Sequence, residues 1–395
     1  MITVEEAKSL VLKHAIELQE EEIEVTSALG FYLSENLVSS VDMPPFDQSA
    51  MDGYVINFLG NCKEKTLRIR GEIKAGDTHQ TTISDGEAIR IFTGAPVPNE
   101  STAVVMQEKV TVDGEYVSID GDVVQGSNIR YQGEQIKKGE LALEKGTLLT
   151  PAAIGFISML GINKVKVTRK PKISVLVTGS ELAKPGTKLK FGQVYECNSD
   201  SLTAAIQQTG FTVNEISSIP DDYELTKQTL DDAITTNEVL VISGGISVGD
   251  YDFVGKALKE LEVEQVYYKI KQKPGKPMFF GKKGNTLIFA LPGNPSAAIL
   301  CYYQYVLMAL KKRSGAINNY GIREIKLSLM NDFVKKGDRA QFLKAKITEE
   351  GVDALGSQSS AMLNTFAVSD GLIYVPHDVN EIKAGSYVSV HLLPK

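Results

Sequence analysis

A chain of 395 residues is longer than one hydrophobic core normally holds, so several domains are expected. Its 42 basic and 49 acidic residues leave a formal charge of -7, and 43% of it is hydrophobic, which excludes a disordered chain and disfavours a nucleic-acid binder. Apolar runs long enough to span a membrane are lacking, so no membrane partner is expected. Cys62, Cys197 and Cys301 lie far apart, as reduced thiols in a cytoplasmic protein do. With histidine only at 14, 79, 377 and 391, a Cys/His zinc site is disfavoured and any metal should be held by oxygen.

The first segment predicts a helix from about Thr3 to Glu21, with Thr3 and Glu6 at capping-box spacing and Ala7, Leu10, Val11, Ala15 and Leu18 on one face. A mixed stretch follows, in which Pro44-Pro45 forbids regular structure and Asp52-Gly53 reads equally as a metal-binding loop or a turn. Residues 66–122 alternate short β segments with Gly and Asp turns, the pattern of a small β-rich domain. A helix then starts at Pro151 and stops near Gly161; packing of this region back on the amino-terminal helix would make the β-rich domain an insertion.

From Ile173 the pattern changes. Apolar strands at 173–179, 212–219, 238–245, 266–270 and 285–293 alternate with helices near 201–208, 222–236, 253–261 and 295–312. That order predicts an α/β domain with a mainly parallel sheet buried on both faces. The last eighty or so residues return to β segments and predict a small barrel-like domain. The expected architecture is therefore α/β multidomain: a discontinuous mixed linker domain (1–42 and 133–170), a β-rich inserted domain (43–132), an α/β domain (171–314) and a carboxyl-terminal β domain (315–395).

Ligands of open α/β sheets bind beyond the carboxyl ends of the strands. This selects the loops VTGSEL (Thr178, Gly179, Glu181), QVYECNSD (with Asn198), SGGISVGDYD and LPGNP. In the third, Gly244 and Gly245 permit close backbone approach to a phosphate, Ser243 and Ser247 add hydroxyls, and Gly249 continues the loop. Asp250 and Asp252 supply oxygen donors suited to a magnesium-like cation; the alternative is that one aspartate caps the next helix and the glycines merely turn the chain. Pro292, Gly293, Asn294 and Pro295 form a stiff turn at a helix start. Between these loops Lys269, Lys271, Lys273 and Lys276 concentrate positive charge, and strand alternation would put the first three on one face to neutralise an oxyanion. Asp52 and Thr93 lie outside the α/β domain, so acting on its ligand requires approach by another domain or subunit.

PPFDQSAMDGY, FTGAPVP, VTGSEL, SGGISVGDYDF, KPGKP and LPGNP occur in the order found in the molybdopterin molybdenumtransferase family, which comprises bacterial MoeA and the related carboxyl-terminal part of gephyrin. The chain resembles that family along essentially its whole length. The resemblance implies a homodimer whose subunits take adenylylated molybdopterin and molybdate, insert molybdenum and release AMP, with transient contacts to other enzymes of the pathway. By the same resemblance Gly244, Gly245 and Ser247 would hold the phosphates between Pro292 and Pro295, and Lys273, Lys276 and Lys269 would offset charge. Asp252, Glu181, Asp222 and Asp250 would hold Mg2+, and Asp52 and Thr93 would complete the site from the partner subunit. The chain departs from the family at Gln135, Ser180 and Glu196, where the family commonly carries aspartate. A molybdopterin adenylyltransferase or a non-catalytic molybdopterin-binding scaffold are the alternatives; the first is normally a single short domain.

Overall fold

The computed structural model describes residues 1–57, 66–79, 81–246 and 253–395. Glu20–Glu24 pairs antiparallel with Lys164–Thr168, which pairs in turn with Tyr32–Leu33, and Leu37–Val38 pairs with Leu141–Leu143. Two distant stretches of chain thus share one small core of Val25, Leu33, Leu149, Ile157, Val165 and Val167. The β-rich region between them builds a six-stranded sheet ordered Ala103–Met106, Gly53–Ile56, Glu87–Ile91, Thr66–Ile73, Tyr116–Ile119, Val110–Asp113. Gly53–Ile56, legible in the sequence only as the end of a loop, is an interior strand of this sheet. Only glycine can begin it: a Cβ on Gly53 would lie 1.9 Å from the Val105 carbonyl oxygen.

The amino-terminal helix differs from expectation in length and in partner. It runs Val4–His14, capped by the reciprocal Thr3–Glu6 box, and does not reach Glu21. Pairing of Glu20–Glu24 with Lys164–Thr168 draws the following residues into a strand, so tertiary pairing overrides helical propensity. Its apolar face does not pack on the helix Pro151–Met159. Val4, Ala7, Val11 and Ala15 instead enter the core of the α/β domain beside Ile173, Phe280 and Tyr302, and residues 1–15 belong structurally to that domain.

The α/β sheet has the order Val213–Ile219, Ile173–Thr178, Val239–Ser243, Thr286–Leu291, Phe279–Lys283, Glu264–Tyr268. The first four strands are parallel and the last two antiparallel to their neighbours. Alternate side chains of each central strand enter opposite cores: Val175, Val241 and Phe289 one, Leu176, Ile242 and Ile288 the other. Burial on both faces is why these strands read as unbroken apolar runs.

The lysine stretch departs from the expected strand. Pairing stops at Tyr268, and Lys269 takes φ +77, so Lys269, Lys271 and Lys273 do not share a strand face. Phe279–Lys283, part of which the sequence offers only as the end of that stretch, is a buried strand, with Phe280 stacked 4.7 Å from Phe289. Between the two, Gln272–Lys273 leaves the α/β sheet and adds a parallel edge to the carboxyl-terminal sheet, ordered Gln272–Lys273, Ala340–Thr348, Gly371–Val375, Tyr387–Leu392, Glu324–Ser328. Among the described residues no helix is long and apolar enough to cross a membrane.

An Ala7→Asp substitution buries an unpaired carboxylate at a position with no exposed surface and should release the amino-terminal helix. Hydrogen exchange is expected to show loss of amide protection across residues 4–14, with Lys164–Thr168 unchanged. Loss in the linker strands as well would mean that the helix supports that domain.

Candidate functional site

From Ile173–Thr178 the chain passes to Val213–Ile219 on one side, whereas Val239–Ser243 lies on the other, so the loops after Thr178 and Ser243 diverge at a switch point in strand order. Such a crevice is where open α/β sheets take ligands. A cavity of about 640 Å3 opens there, walled by the turns that begin at Thr178, Glu196, Ser243 and Pro292. Thr178, Gly179, Glu181, Asn198, Ser243, Gly244, Gly245 and Pro292 to Pro295 all line it. Ser247, Gly249, Asp250 and Asp252 lie outside the described residues.

Gly244 takes φ +95, and a Cβ on it would meet the Thr178 carbonyl oxygen at 2.6 Å. Only glycine lets the backbone pass this close to Thr178 at the cavity wall, and the Gly244 amide itself donates to the Leu291 carbonyl at 3.4 Å. Thr178 Oγ1, close beneath both glycines, is buried without a hydrogen-bond partner among the described residues. A buried orphan hydroxyl at the floor of a glycine cradle calls for a ligand acceptor.

The other loops are locked. Asn198 Nδ2 donates to Ser243 Oγ and to the Gly293 carbonyl, both at 2.8 Å, and so ties together the turns after two neighbouring strands. The Glu196 carboxylate accepts the amide hydrogens of Asn198 at 2.5 Å and Ser199 at 2.9 Å, fixing the start of the helix Asn198–Gln208. Burial, with Glu196 and Asp200 nearby, raises the Cys197 thiol above its usual pKa and keeps it protonated.

The carboxylate facing the cavity from the next loop is Asp221, not Asp222. Asp222 caps the helix Tyr223–Thr236 by accepting the Leu225 amide hydrogen at 2.8 Å, which commits it to the helix end. Asp221 accepts from the Ser180 amide at 3.0 Å, and Ser180 Oγ accepts from the Asp221 amide at 2.9 Å. The serine at position 180 thus positions this acid. Glu181 and Glu196 also line the cavity, Glu196 with its carboxylate committed to the start of the helix Asn198–Gln208. Among the described residues no three acidic, His or Cys side chains cluster as a complete metal shell. Glu181 and Asp221 nevertheless offer the hard oxygen donors that Mg2+ prefers, and Mg2+ usually keeps several waters, so this partial donor set fits it in kind.

A second cavity of about 620 Å3 adjoins the first, sharing Pro277, Pro292 and Asn294. Lys273, Lys276 and Arg339 give it three cations, and Ser359 and Ser360 add hydroxyls. Asn294 Nδ2 donates to Ser360 Oγ at 3.0 Å across the junction. Arg339, Ser359 and Ser360 carry no local motif; only the pairing of Gln272 with Ala340 brings them beside the lysines. Buried Lys344 donates to the carbonyls of Ser359 at 3.0 Å and Met362 at 3.2 Å, holding the serine loop in place.

Besides Asp222, the expected residues Lys269, Lys271, Asp52 and Thr93 line neither cavity, and Lys271 pairs with Asp338 at 3.2 Å. The Lys269 ammonium lies 4.8 Å over the ring of Tyr268. Asp52 Oδ1 accepts from the Thr93 amide and the Thr93 hydroxyl, each at 2.8 Å, within the inserted domain. The backbone donor, then the hydroxyl, hold the Asp52 carboxyl below the ordinary aspartate range.

Three family models match in succession: the MoeA N-terminal region (domain I and II) over residues 2–161, the probable molybdopterin binding domain over 174–312, and the MoeA C-terminal region (domain IV) over 326–393. The molybdopterin molybdenumtransferase of Haemophilus influenzae is 32% identical over 404 residues, covering 100% of both chains. That of Staphylococcus epidermidis is 31% identical, covering 99% of this chain and 95% of its own. The crystal structure of the molybdopterin biosynthesis moeA protein from Pyrococcus horikoshii OT3 superposes with a TM-score of 0.84 at 29% identity over 100% of each chain.

Replacing Thr93 with Val removes one of two donors and should raise the Asp52 titration toward the ordinary aspartate value. The depressed carboxyl stabilises the loop above its unfolded pKa, and that contribution is lost as pH falls through the folded pKa. Carbon-detected NMR titration of the side-chain carboxyl checks this, and an unmoved titration would assign the depression to the backbone donor alone.

Proposed function

The chain belongs to the molybdopterin molybdenumtransferase family and is an enzyme of molybdenum-cofactor biosynthesis that inserts molybdenum into molybdopterin; we propose that it does so at its two adjoining cavities. The glycine cradle at Gly244 and Gly245 takes the phosphates of adenylylated molybdopterin, and the cationic cavity takes molybdate. The observation that carries this reading is the junction at Asn294, where an anion-accepting backbone cradle meets Lys273, Lys276 and Arg339. An adenylyltransferase would use the first cavity alone; the cationic wall and the matched carboxyl-terminal region favour the transferase.

In this reading Thr178 Oγ1 and the Gly245 amide donate to phosphate oxygens, and Asn198 holds the cradle open by tying Ser243 to Gly293. Lys273, Lys276 and Arg339 hold the oxyanion and offset the charge that accumulates as a molybdate oxygen bonds to the pterin-side phosphorus, the phosphoanhydride breaks and AMP leaves with the bond pair. Glu181 and Asp221 would hold Mg2+, with Asp250 and Asp252 as further donors from the sequence; when bound, the ion supplies Lewis-acid polarisation of phosphate oxygens. Asp52 and Thr93 would come from a second copy of the chain in a homodimer, since they line neither cavity of their own subunit. The unpaired Cys197 and Cys301 fit a cytoplasmic setting.

The test is turnover of the purified enzyme with adenylylated molybdopterin, molybdate and magnesium, following AMP release and cofactor formation together. Arg339→Ala should raise KM for molybdate about tenfold or more, the loss of one charge-assisted contact, with molybdopterin affinity little changed. Equal loss of molybdopterin affinity, with KM for molybdate unmoved, would take the oxyanion out of the second cavity.

A further inference from the structure

A third cavity, of about 680 Å3, shares no residue with the two described above. It lies along the second half of the helix that begins at Pro295, between the amino-terminal helix and the start of the carboxyl-terminal sheet. Its floor is the π-helical turn Tyr302–Val306, a geometry that inserts one extra residue into a helix and recurs at functional sites. Gln304, in the middle of that turn, is 2% exposed, and its Nε2 is buried without a hydrogen-bond partner among the described residues. An unpaired buried amide is costly unless something fills its place.

The walls are charged in one sense. Lys8, Lys311 and Arg323 face a single carboxylate, that of Glu324. Glu324 is already engaged: it accepts from Ser389 Oγ and lies 3.8 Å from His391 Nε2. Glu5, the other acid near Lys8, accepts from the Tyr374 hydroxyl. Lys311 spends two donors on the carbonyls of Asn319 and Gly321, at 3.2 Å and 2.9 Å. Among the described residues neither Lys8 nor Arg323 has an ion pair or a side-chain hydrogen bond within the protein. Met308, Ile322 and the ring of Tyr303 supply apolar wall between these groups.

We infer that this cavity is a second ligand site, for a small organic oxyanion, a carboxylate or a phosphate ester. Lys8 and Arg323 pair with the oxyanion, Gln304 donates to it from the floor, and Glu324 accepts any hydroxyl or amino hydrogen the ligand carries. The volume suits a metabolite-sized molecule rather than a bare ion.

The experiment is calorimetric titration of the full-length protein with citrate and, separately, glycerol phosphate, at constant ionic strength in chloride. The protein carries Lys273→Ala and Lys276→Ala, so that the cationic cavity of the proposed reaction does not contribute. The expected result is saturable binding of one probe or both at one site per chain, weakened tenfold or more by Arg323→Ala and by Gln304→Leu. Arg323 is exposed, so its truncation leaves the fold intact and keeps the test decisive where the buried Gln304 variant unfolds. The preferred probe tells carboxylate from phosphate. Absence of binding by both probes, or binding indifferent to Arg323→Ala, overturns the assignment.

Discussion

The geometry of the site rests on the buried side chain of Gln272. Its Nε2 donates to the Gly275 carbonyl at 3.2 Å, and its Oε1 accepts from the hydroxyl of Tyr305 in the long helix. A fully buried amide satisfied on both sides is expensive to misplace, because every alternative position strands a donor or an acceptor. The constraint propagates in two directions. Along the chain it fixes the turn that carries Lys273 and Lys276, where a Cβ on Gly275 would collide with Cys301 and with Gln272 itself. Across the chain it holds the backbone of Gln272–Lys273 where it pairs with Ala340–Gln341. One residue therefore sets the lysines against Arg339.

The two halves of the site are built on opposite physical terms. The glycine cradle follows from the three central strands Ile173–Thr178, Val239–Ser243 and Thr286–Leu291, which are buried on both faces and keep their few polar residues toward the ends. Polar chemistry is forced to the carboxyl edge, and the reversal of strand order opens the crevice there. The cationic cavity instead depends on joining two sheets. Its serines lie on a loop held by Lys344, itself 3% exposed, whose ammonium is satisfied by main-chain carbonyls. A buried lysine used in this way shapes a loop without adding free charge to the pocket.

What the sequence disclosed follows the range of the interactions. Strands whose burial is two-sided announce themselves, and so do helix starts at Pro151, Asp222 and Pro295, because each signal is local. The loops at Thr178, Ser243 and Pro292 were legible for the same reason, since strand ends with glycine and proline carry their own chemistry. Gly53–Ile56 was hidden because its role depends on two neighbours more than thirty residues away in sequence. Arg339 and Ser360 were hidden because a parallel edge pairing has no sequence signature. The exchange of Asp222 for Asp221 is subtler: two adjacent acids precede a helix, and only the backbone decides which one caps it.

Asp52 and Thr93 bear on how the site becomes complete. Their bond closes a loop of the inserted domain and leaves an ionised carboxylate exposed, with no cation bonded to it in its own subunit among the described residues. A carboxyl held below its ordinary pKa stays charged at any physiological pH, so the loop keeps a fixed negative group without help from a partner. The inserted domain is tethered by short strands at Gln48–Ser49 and Ile129–Arg130 and packs its own apolar cores. It is thus a self-sufficient arm that presents a preformed acid, and a preformed group loses little side-chain entropy when it docks. A positively charged cavity in one copy and an exposed acid on the arm of another would be complementary in sign, which supports the proposal that two subunits share the site.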